Sequence, residues 1–185
     1  VAQSLLSRVV YEDEGLLVVN KPSGIAVHGG SGVAYGLIEA LRAATGKKYL
    51  ELIHRIDRDT SGLVMISKKR STLKLVQDLL REHKIQKTYA AIVKGQVSLD
   101  QQLIDAPLFR YELANGERRV RVSKEGKPSK TEWNVVERFK AATLVHASPL
   151  SGRTHQIRVH GLSIGHPLIG DDKYGHSTAY AGPEA

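Results

Sequence analysis

In the first half of the chain, short apolar runs and turn residues alternate with stretches that have apolar residues at helical spacing. Residues 16–20 form a compact apolar run that ends in Lys-Pro-Ser-Gly. This pattern predicts a strand closed by a turn, because proline fixes φ and glycine permits positive φ. Apolar residues at helical spacing predict one helix that ends at Gly46 and a second that begins with Ser71 as its N-cap. Between these helices, residues 63–66 are apolar and predict a buried strand.

Alternation of apolar and polar residues dominates the second half of the chain. Residues 87–95 predict a strand on this basis. Residues 118–122 alternate arginine and valine shortly after an Asn-Gly pair, which predicts a hairpin. The arginines either form a cationic outer face or protect a solvated edge strand from aggregation. Two more strands are predicted, around Trp133 and at residues 142–146.

The last long segment predicts a helix with Thr154 as its N-cap and Gly165 just beyond its C-terminus. Helices and strands thus mix without a regular βαβ alternation, and short turns join several strand pairs. The pattern predicts an α+β fold with a mixed, largely antiparallel central sheet flanked by helices and loops. The glycine-rich residues 29–32 predict a mobile surface loop, and the residues from 179 onward predict a frayed tail.

Composition adds a basic charge to this picture. The chain has 185 residues, with 27 Lys and Arg against 19 Asp and Glu and a formal net charge of +8. One domain, residues 1–185, is expected at this length. Excess positive charge is typical of a nucleic-acid partner, although many soluble proteins are basic for colloidal reasons.

Several classes are excluded by what the sequence lacks. There is no cysteine, which excludes disulfides and thiolate chemistry. No apolar stretch approaches the roughly 20 residues of a membrane-spanning helix, and no signal peptide is visible. We therefore expect a cytoplasmic protein without a membrane partner.

The densest charge cluster lies at residues 55–59, Arg-Ile-Asp-Arg-Asp, which a Thr-Ser-Gly turn and the apolar run 63–66 follow. Charges beside a buried strand are costly unless they are paired, and functional sites with perturbed ionisation are built from such arrangements. Asp57 is the candidate chemical centre of this cluster.

The stretch His-Arg-Ile-Asp-Arg-Asp-Thr-Ser-Gly resembles the signature of the RluA family of RNA pseudouridine synthases, which usually has leucine where this chain has Ile56. Two further family segments are present in the right order, a Lys-x-Tyr strand and a Gly-Arg-Thr-His-Gln-Ile-Arg-Val-His segment followed by Gly-His-Pro. Two shorter segments, Asn-Lys-Pro-Ser-Gly and Asp-Asp-Lys-Tyr-Gly, fit as well. The matching segments are residues 20–24, 54–62, 87–89, 152–160, 165–167 and 171–175.

The resemblance implies a pseudouridine synthase fold with an active-site cleft across the sheet. Residues 116–129 most resemble the RluC branch, which acts on large-subunit (23S) ribosomal RNA. The implied activity is isomerisation of uridine to pseudouridine in that RNA, with no cofactor. Many family members carry an N-terminal S4-like RNA-binding domain, which we expect to be absent before Leu16. A monomer is expected.

The resemblance assigns catalytic roles to Asp57, Tyr89 and Arg158. A carboxylate close to sugar and base is required, and a guanidinium opposes the rise in pKa that burial causes. Arg158 is the expected partner of Asp57, with Arg153 as the rival, and Tyr89 stacks on the target base. Without the resemblance, Tyr89 would be read as a core tyrosine and Arg158 as a surface arginine.

Base flipping is implied as well, because a uridine must leave its stack before chemistry can reach it. Arg55 matches the arginine that fills the gap, and its alternative role is an ion pair with Asp59. The expected substrate-binding residues are His54, Arg55, Arg58, Thr60, Arg153 and His155.

No metal site is expected, because the histidines lack compact ligand spacing. Asp57 and Asp59 could still resemble the acidic cluster of a two-metal nuclease if Asp171 and Asp172 joined them. A metal-dependent RNA hydrolase is therefore one alternative function. A non-catalytic RNA-binding module is the other.

Overall fold

The structure is a computed structural model that describes residues 2–30 and 35–175. Its chain divides into two compact units, Val1–Ile85 and Gln86–Ala185. Part of the predicted loop at 29–32 and all of the predicted tail from 179 lie outside the described residues.

The first unit is one antiparallel sheet with helices, in which the strand order is β1-β2-β4-β3. Its described elements in chain order are α1 (Ala2–Leu6), β1 (Val9–Glu12), β2 (Leu16–Lys21), α2 (Leu37–Thr45), β3 (Glu51–Leu52), β4 (Gly62–Ser67) and α3 (Arg70–Arg81). The predicted strands at 16–20 and 63–66 are thereby confirmed. Val19 of β2 and Val64 of β4 are register partners without exposed surface, so the core lies on this face of the sheet.

The two helix predictions of the first unit differ in outcome. Helix α2 ends at Gly46, whose φ of 69° lies in the left-handed region, as predicted. The prediction of Ser71 as an N-cap is wrong. Lys69 has extended backbone (φ −145°, ψ 150°), so α3 begins at Arg70, one residue before the serine, and no side chain caps it.

The second unit has a four-stranded antiparallel sheet in the order β5-β10-β9-β6 and a separate hairpin, β7-β8. Its described elements are β5 (Tyr89–Lys94), β6 (Gln101–Asp105), β7 (Leu108–Glu112), β8 (Arg118–Val122), β9 (Lys130–Arg138), β10 (Ala142–Pro149) and α4 (Gln156–Ser163). Trp133 is fully buried among apolar residues of this sheet, against which Ile157 of α4 and Ile164, the residue after that helix, also pack.

The predicted hairpin at Asn115-Gly116 is confirmed. Glu112 pairs with Arg118 across it, Asn115 Oδ1 accepts a hydrogen bond from the Glu117 N–H (2.9 Å), and Gly116 has a φ of 83°. The turn needs a residue that tolerates positive φ at this place, which glycine supplies.

The prediction of Thr154 as the N-cap of α4 is wrong. The helix begins after His155, which has a left-handed φ of 52° and makes no side-chain cap hydrogen bond. Gly161 lies inside α4 at a close approach, since a Cβ there would lie 2.8 Å from the His166 carbonyl oxygen and 3.3 Å from the Trp133 ring. A glycine in mid-helix thus lets the helix lie against the sheet.

The predicted α+β class with largely antiparallel strands is confirmed, because every strand pairing within residues 2–30 and 35–175 is antiparallel. None of the helices in this part of the chain is both long enough and apolar enough to cross a membrane.

Candidate active site

The loop between β3 and β4 carries Asp57. Buried Ile53 and Ile56 anchor it from within, while Arg55 is exposed and Asp57 is half-buried. The Thr60 N–H donates to the Asp57 carbonyl oxygen (3.1 Å), which closes a turn directly after the aspartate. The loop thus fixes the backbone on both sides of the candidate catalytic carboxylate.

A fully buried lysine ties this loop to the turn after β2. Lys21 Nζ donates to the carbonyl oxygens of Pro22 (3.0 Å), Ile25 (2.7 Å) and Arg58 (2.9 Å). Burial lowers its pKa to about 8, against the opposing influence of Asp59 and Asp57. The ammonium thus has its donors satisfied by carbonyl groups that hold the Asp57 loop in place.

Two further hydrogen bonds join the same two turns. The Gly24 N–H donates to the Arg58 carbonyl oxygen (2.9 Å), and Ser23 Oγ donates to the Asp59 carbonyl oxygen (2.7 Å). Sequence reasoning treated Lys21 only as part of a turn and missed its role. A signal existed, because Leu17, Val19 and Lys21 alternate on the buried face of β2.

The remaining predicted residues of the first unit surround Asp57 in sequence. Met65 N–H donates to His54 Nε2 (3.0 Å), so the neutral imidazole carries its proton on Nδ1. Arg58 and Asp59 form an exposed ion pair (3.3 Å). In the described part of the chain the partner of Asp59 is therefore Arg58, and the alternative Arg55–Asp59 ion pair is not formed.

Tyr89 begins β5, where it lies opposite Ala147 of β10. Its side chain is half-buried and shares a strand face with Ala91 and Val93, which belong to the Trp133 core. The half-buried side chain thus keeps part of its surface accessible.

Arg158 projects from α4 into a bidentate ion pair with Asp171. Nε lies 2.7 Å from Oδ2 and Nη2 lies 2.8 Å from Oδ1, and the two side chains are 19% and 3% exposed. Burial alone would raise the pKa of Asp171. Arg158 and the backbone N–H groups of Tyr174 and Lys173 outweigh it and lower that pKa. The carboxylate therefore stays ionised and fixes the guanidinium plane.

The Tyr174 ring stacks against the same guanidinium. The Arg158 guanidinium carbon lies 5.1 Å from the centre of the Tyr174 ring. The phenol oxygen accepts the Val120 N–H (3.0 Å) and lies 2.6 Å from His155 Nδ1. Burial raises the pKa of Tyr174 to about 12, so the phenol keeps its proton and can donate it to His155.

Gln156 fixes the loop that precedes α4. Its Oε1 accepts hydrogen bonds from Ser151 Oγ (2.7 Å) and the Arg153 N–H (3.2 Å), and its Nε2 donates to the Lys130 carbonyl oxygen (2.8 Å) and to Thr131 Oγ1 (3.0 Å). The Arg153 side chain is exposed and its Nε donates to the Pro128 carbonyl oxygen (3.3 Å). Arg153 thus lies at the surface of its loop.

His160 extends this network into the core. Its Nε2 lies 2.9 Å from the Ala106 carbonyl oxygen, which can only accept, so Nε2 carries the proton. Nδ1 then accepts from Thr131 Oγ1 (2.7 Å). Burial lowers the pKa of His160, which keeps the ring neutral.

The predicted residues therefore fall into two sets. His54, Arg55, Asp57, Arg58 and Thr60 share one loop of the first unit. Tyr89, Arg153, His155 and Arg158 lie in the second unit, on β5, on the loop before α4 and on α4 itself. The sequence predictions gave no role to the Asp171–Tyr174 support of Arg158, although the Asp-x-x-Tyr-Gly segment was recognised as typical of the family.

Within the described ranges, no group of three or more His, Asp or Glu side chains is arranged to hold a metal ion. Asp171, which a two-metal site would need, has both carboxylate oxygens engaged by Arg158.

The fold and the sequence match those of a known family. The sequence profile for RNA pseudouridylate synthases matches residues 15–163, and the chain belongs to this family. It is 55% identical over 172 residues to the ribosomal large subunit pseudouridine synthase C of Pasteurella multocida, covering 92% of this chain and 53% of that protein. The synthase C of Escherichia coli is 53% identical over 173 residues, covering 93% and 54%. The chain thus spans about half the length of these relatives.

Solved structures give the same result for the fold. Human RNA pseudouridylate synthase domain containing 4 superposes with a TM-score of 0.78 at 28% identity, covering 94% of this chain and 70% of that one. Domain containing 1 gives 0.79 at 26% identity, covering 96% and 72%. The resemblance drawn from the motifs, including the branch, is confirmed.

Proposed function

We propose that this protein converts uridine to pseudouridine in large-subunit ribosomal RNA, with Asp57 as the catalytic carboxylate. The observation that carries the proposal is the cross-tied loop, in which Lys21, Ser23 and Gly24 hold the backbone of Arg58 and Asp59 next to Asp57. A carboxylate that must meet a sugar carbon gains most from such preorganisation. The name that these relatives carry, ribosomal large subunit pseudouridine synthase C, supports the choice of substrate.

The reaction needs no external reactant. The C1′–N1 bond of the uridine breaks, the uracil turns, and a C1′–C5 bond forms. The C5 proton leaves to solvent and N1 takes up a proton, so atoms and electrons balance without a redox partner. The ionised Asp57 carboxylate either attacks covalently or assists loss and recapture of the base, and both routes use the same group.

The other residues take supporting roles in this proposal. Tyr89 stacks on the uracil while it turns, and Arg158, which Asp171 holds in a fixed orientation, supplies a positive charge to the reaction. Arg55 fills the gap left by the flipped nucleotide. The RNA-binding residues proposed around them are His54, Arg58, Thr60, Arg153 and His155. We also propose a cytoplasmic location, in keeping with a ribosomal RNA substrate, and a monomer.

A metal-dependent hydrolase is the weaker candidate because Asp171 is committed to Arg158. The two functions are separated by incubating deproteinised large-subunit ribosomal RNA with the protein in parallel reactions with and without EDTA. Mass spectrometry after cyanoethylation is expected to show a new modified uridine in an uncut RNA. Chain cleavage that EDTA abolishes, or RNA without any new modified uridine, would contradict the proposal.

A further inference from the structure

The β7-β8 hairpin presents one face that the proposed chemistry does not use. Phe109 pairs with Arg121 and Tyr111 pairs with Arg119, so these four side chains share one face of the hairpin. Leu108 and Val120 point to the opposite face, where they are buried together with Tyr174. We call the outward group of Phe109, Tyr111 and Arg121 the Arg121 face.

The guanidinium of Arg121 makes cation–π contacts with two aromatic rings. Its central carbon lies 5.3 Å from the centre of the Phe109 ring and 5.8 Å from that of Tyr111, and the residue is exposed. Within the described ranges it forms no ion pair with a carboxylate, in contrast to Arg119, which pairs with Glu117 (3.0 Å). The charge of Arg121 is thus oriented without being neutralised.

The segment that carries this face is strongly basic and has a close backbone contact at its base. Residues 108–130 contain seven Lys and Arg against three Glu, which is four of the eight net positive charges of the chain. Leu108 and Lys127 exchange backbone hydrogen bonds (2.9 and 2.8 Å), and a Cβ on Gly126 would lie 2.4 Å from the Leu108 backbone. The turn before β9 is therefore pressed against β7, which holds the start of the hairpin.

We propose that the Arg121 face binds the sugar-phosphate backbone of the RNA substrate outside the nucleotide that is modified. This proposal rests on the proposed function for the nature of the partner. A guanidinium is a planar fork of donors that matches a phosphate bidentately, and stacking on rings orients that fork at little entropic cost. Aromatic rings beside arginine also suit the flat bases of a single strand. This combination favours RNA over an acidic protein segment.

The expected magnitude follows from counterion release. One phosphate contact to a single strand contributes about 0.7 to the slope of log K against log salt, and therefore about fivefold in affinity at roughly 0.1 M salt relative to 1 M. Arg121→Gln is expected to remove that contribution, whereas Arg121→Lys keeps the charge and is expected to restore most of the slope.

The experiment measures fluorescence anisotropy of a labelled oligouridylate RNA with the whole protein across a salt series. Arg118→Gln is the matched control, because it removes the same charge from the same strand on the opposite face and is exposed as well. We expect Arg121→Gln to weaken binding about fivefold and to lower the slope by about 0.7. Arg118→Gln is expected to change affinity less than about twofold.

The result that overturns the proposal is an Arg121→Gln variant that binds like wild type, or one that Arg118→Gln matches in both affinity and slope. An Arg121→Lys variant that leaves the slope reduced would also contradict it. The same RNA affinity and salt slope are measured for an Asp57→Asn variant. Because this variant removes the proposed catalytic carboxylate and leaves Arg121 in place, the binding proposal and the catalytic proposal can fail independently.

Discussion

Replacing Asp171 by asparagine tests how Arg158 is held. The substitution keeps the volume of the side chain but removes its charge and turns an NH₂ group toward the guanidinium. Arg158 would be left as a largely buried cation without its bidentate partner, since only 19% of its side chain is exposed. Removing one member of a buried ion pair costs about 3–5 kcal/mol, and the partial exposure of Arg158 and its contact with Tyr174 place this case at about 3 kcal/mol.

The assay is thermal unfolding of the whole protein, followed by the fluorescence of Trp133, the single tryptophan, which is fully buried. For a chain of this size a loss of about 3 kcal/mol lowers the Tm by roughly 6 to 12 °C. Asp172→Asn is the matched control, because Asp172 is the exposed neighbour and its replacement is expected to change stability by less than about 0.5 kcal/mol.

The pH dependence gives a second test of the same pair. The pKa of folded Asp171 is lowered, so its stabilising contribution is present above the unfolded value near 4 and is lost as pH falls through the folded pKa. The stability difference between wild type and Asp171→Asn is therefore expected to be constant near neutral pH and to shrink below about pH 4. Equal stability of Asp171→Asn and Asp172→Asn at pH 7 would refute the reasoning.

Three further predictions concern the groups that hold the site. Gly161→Ala is expected to cost about 1–3 kcal/mol, because its Cβ would meet the His166 backbone, whereas Gly152→Ala, which meets nothing, should be close to neutral in the same Trp133 assay. His160 has a lowered pKa, so stability is expected to fall as pH drops below about 6.5, and His160→Gln should flatten that dependence in urea titrations; an unchanged slope would count against it. The pKa of Lys21 is lowered to about 8, whereas that of an unfolded lysine lies near 10.5. The free energy of unfolding, followed by circular dichroism, is therefore expected to rise between pH 8 and about 10.5. Lys21→Met is expected to remove this rise, together with much of the activity. A Lys21→Met protein with the same pH profile and full activity would contradict the role given to Lys21.

Local patterns predicted the elements whose signals are local. A few adjacent residues are enough for three of these elements: the apolar run before Lys21 predicts a strand, Gly46 predicts a helix end, and Asn115-Gly116 predicts a hairpin. The caps at Ser71 and Thr154 failed because a serine or threonine near a helix start is favourable but not decisive. At α4, the Gln156 side chain satisfies the Arg153 N–H instead.

The candidate site could be proposed from the motifs to the level of residue identity. Asp57, Tyr89 and Arg158 could be named from their match to the family's motifs, and their roles stay predictions. The partner of Arg158 could not, because the choice between Asp171 and Asp172 depends on which carboxylate the fold buries. The distribution of the strands among sheets also depends on long-range pairing, which periodicity does not encode.

The most direct test of the account is tritium release from transcripts labelled at C5 of uridine, comparing Asp57→Ala with wild type. Asp59→Ala is the control, since that carboxylate is exposed and pairs only with Arg58 among the described ion pairs. Release is expected at background level for Asp57→Ala and near the wild-type rate for Asp59→Ala. Release by a folded Asp57→Ala protein at the wild-type rate would contradict it.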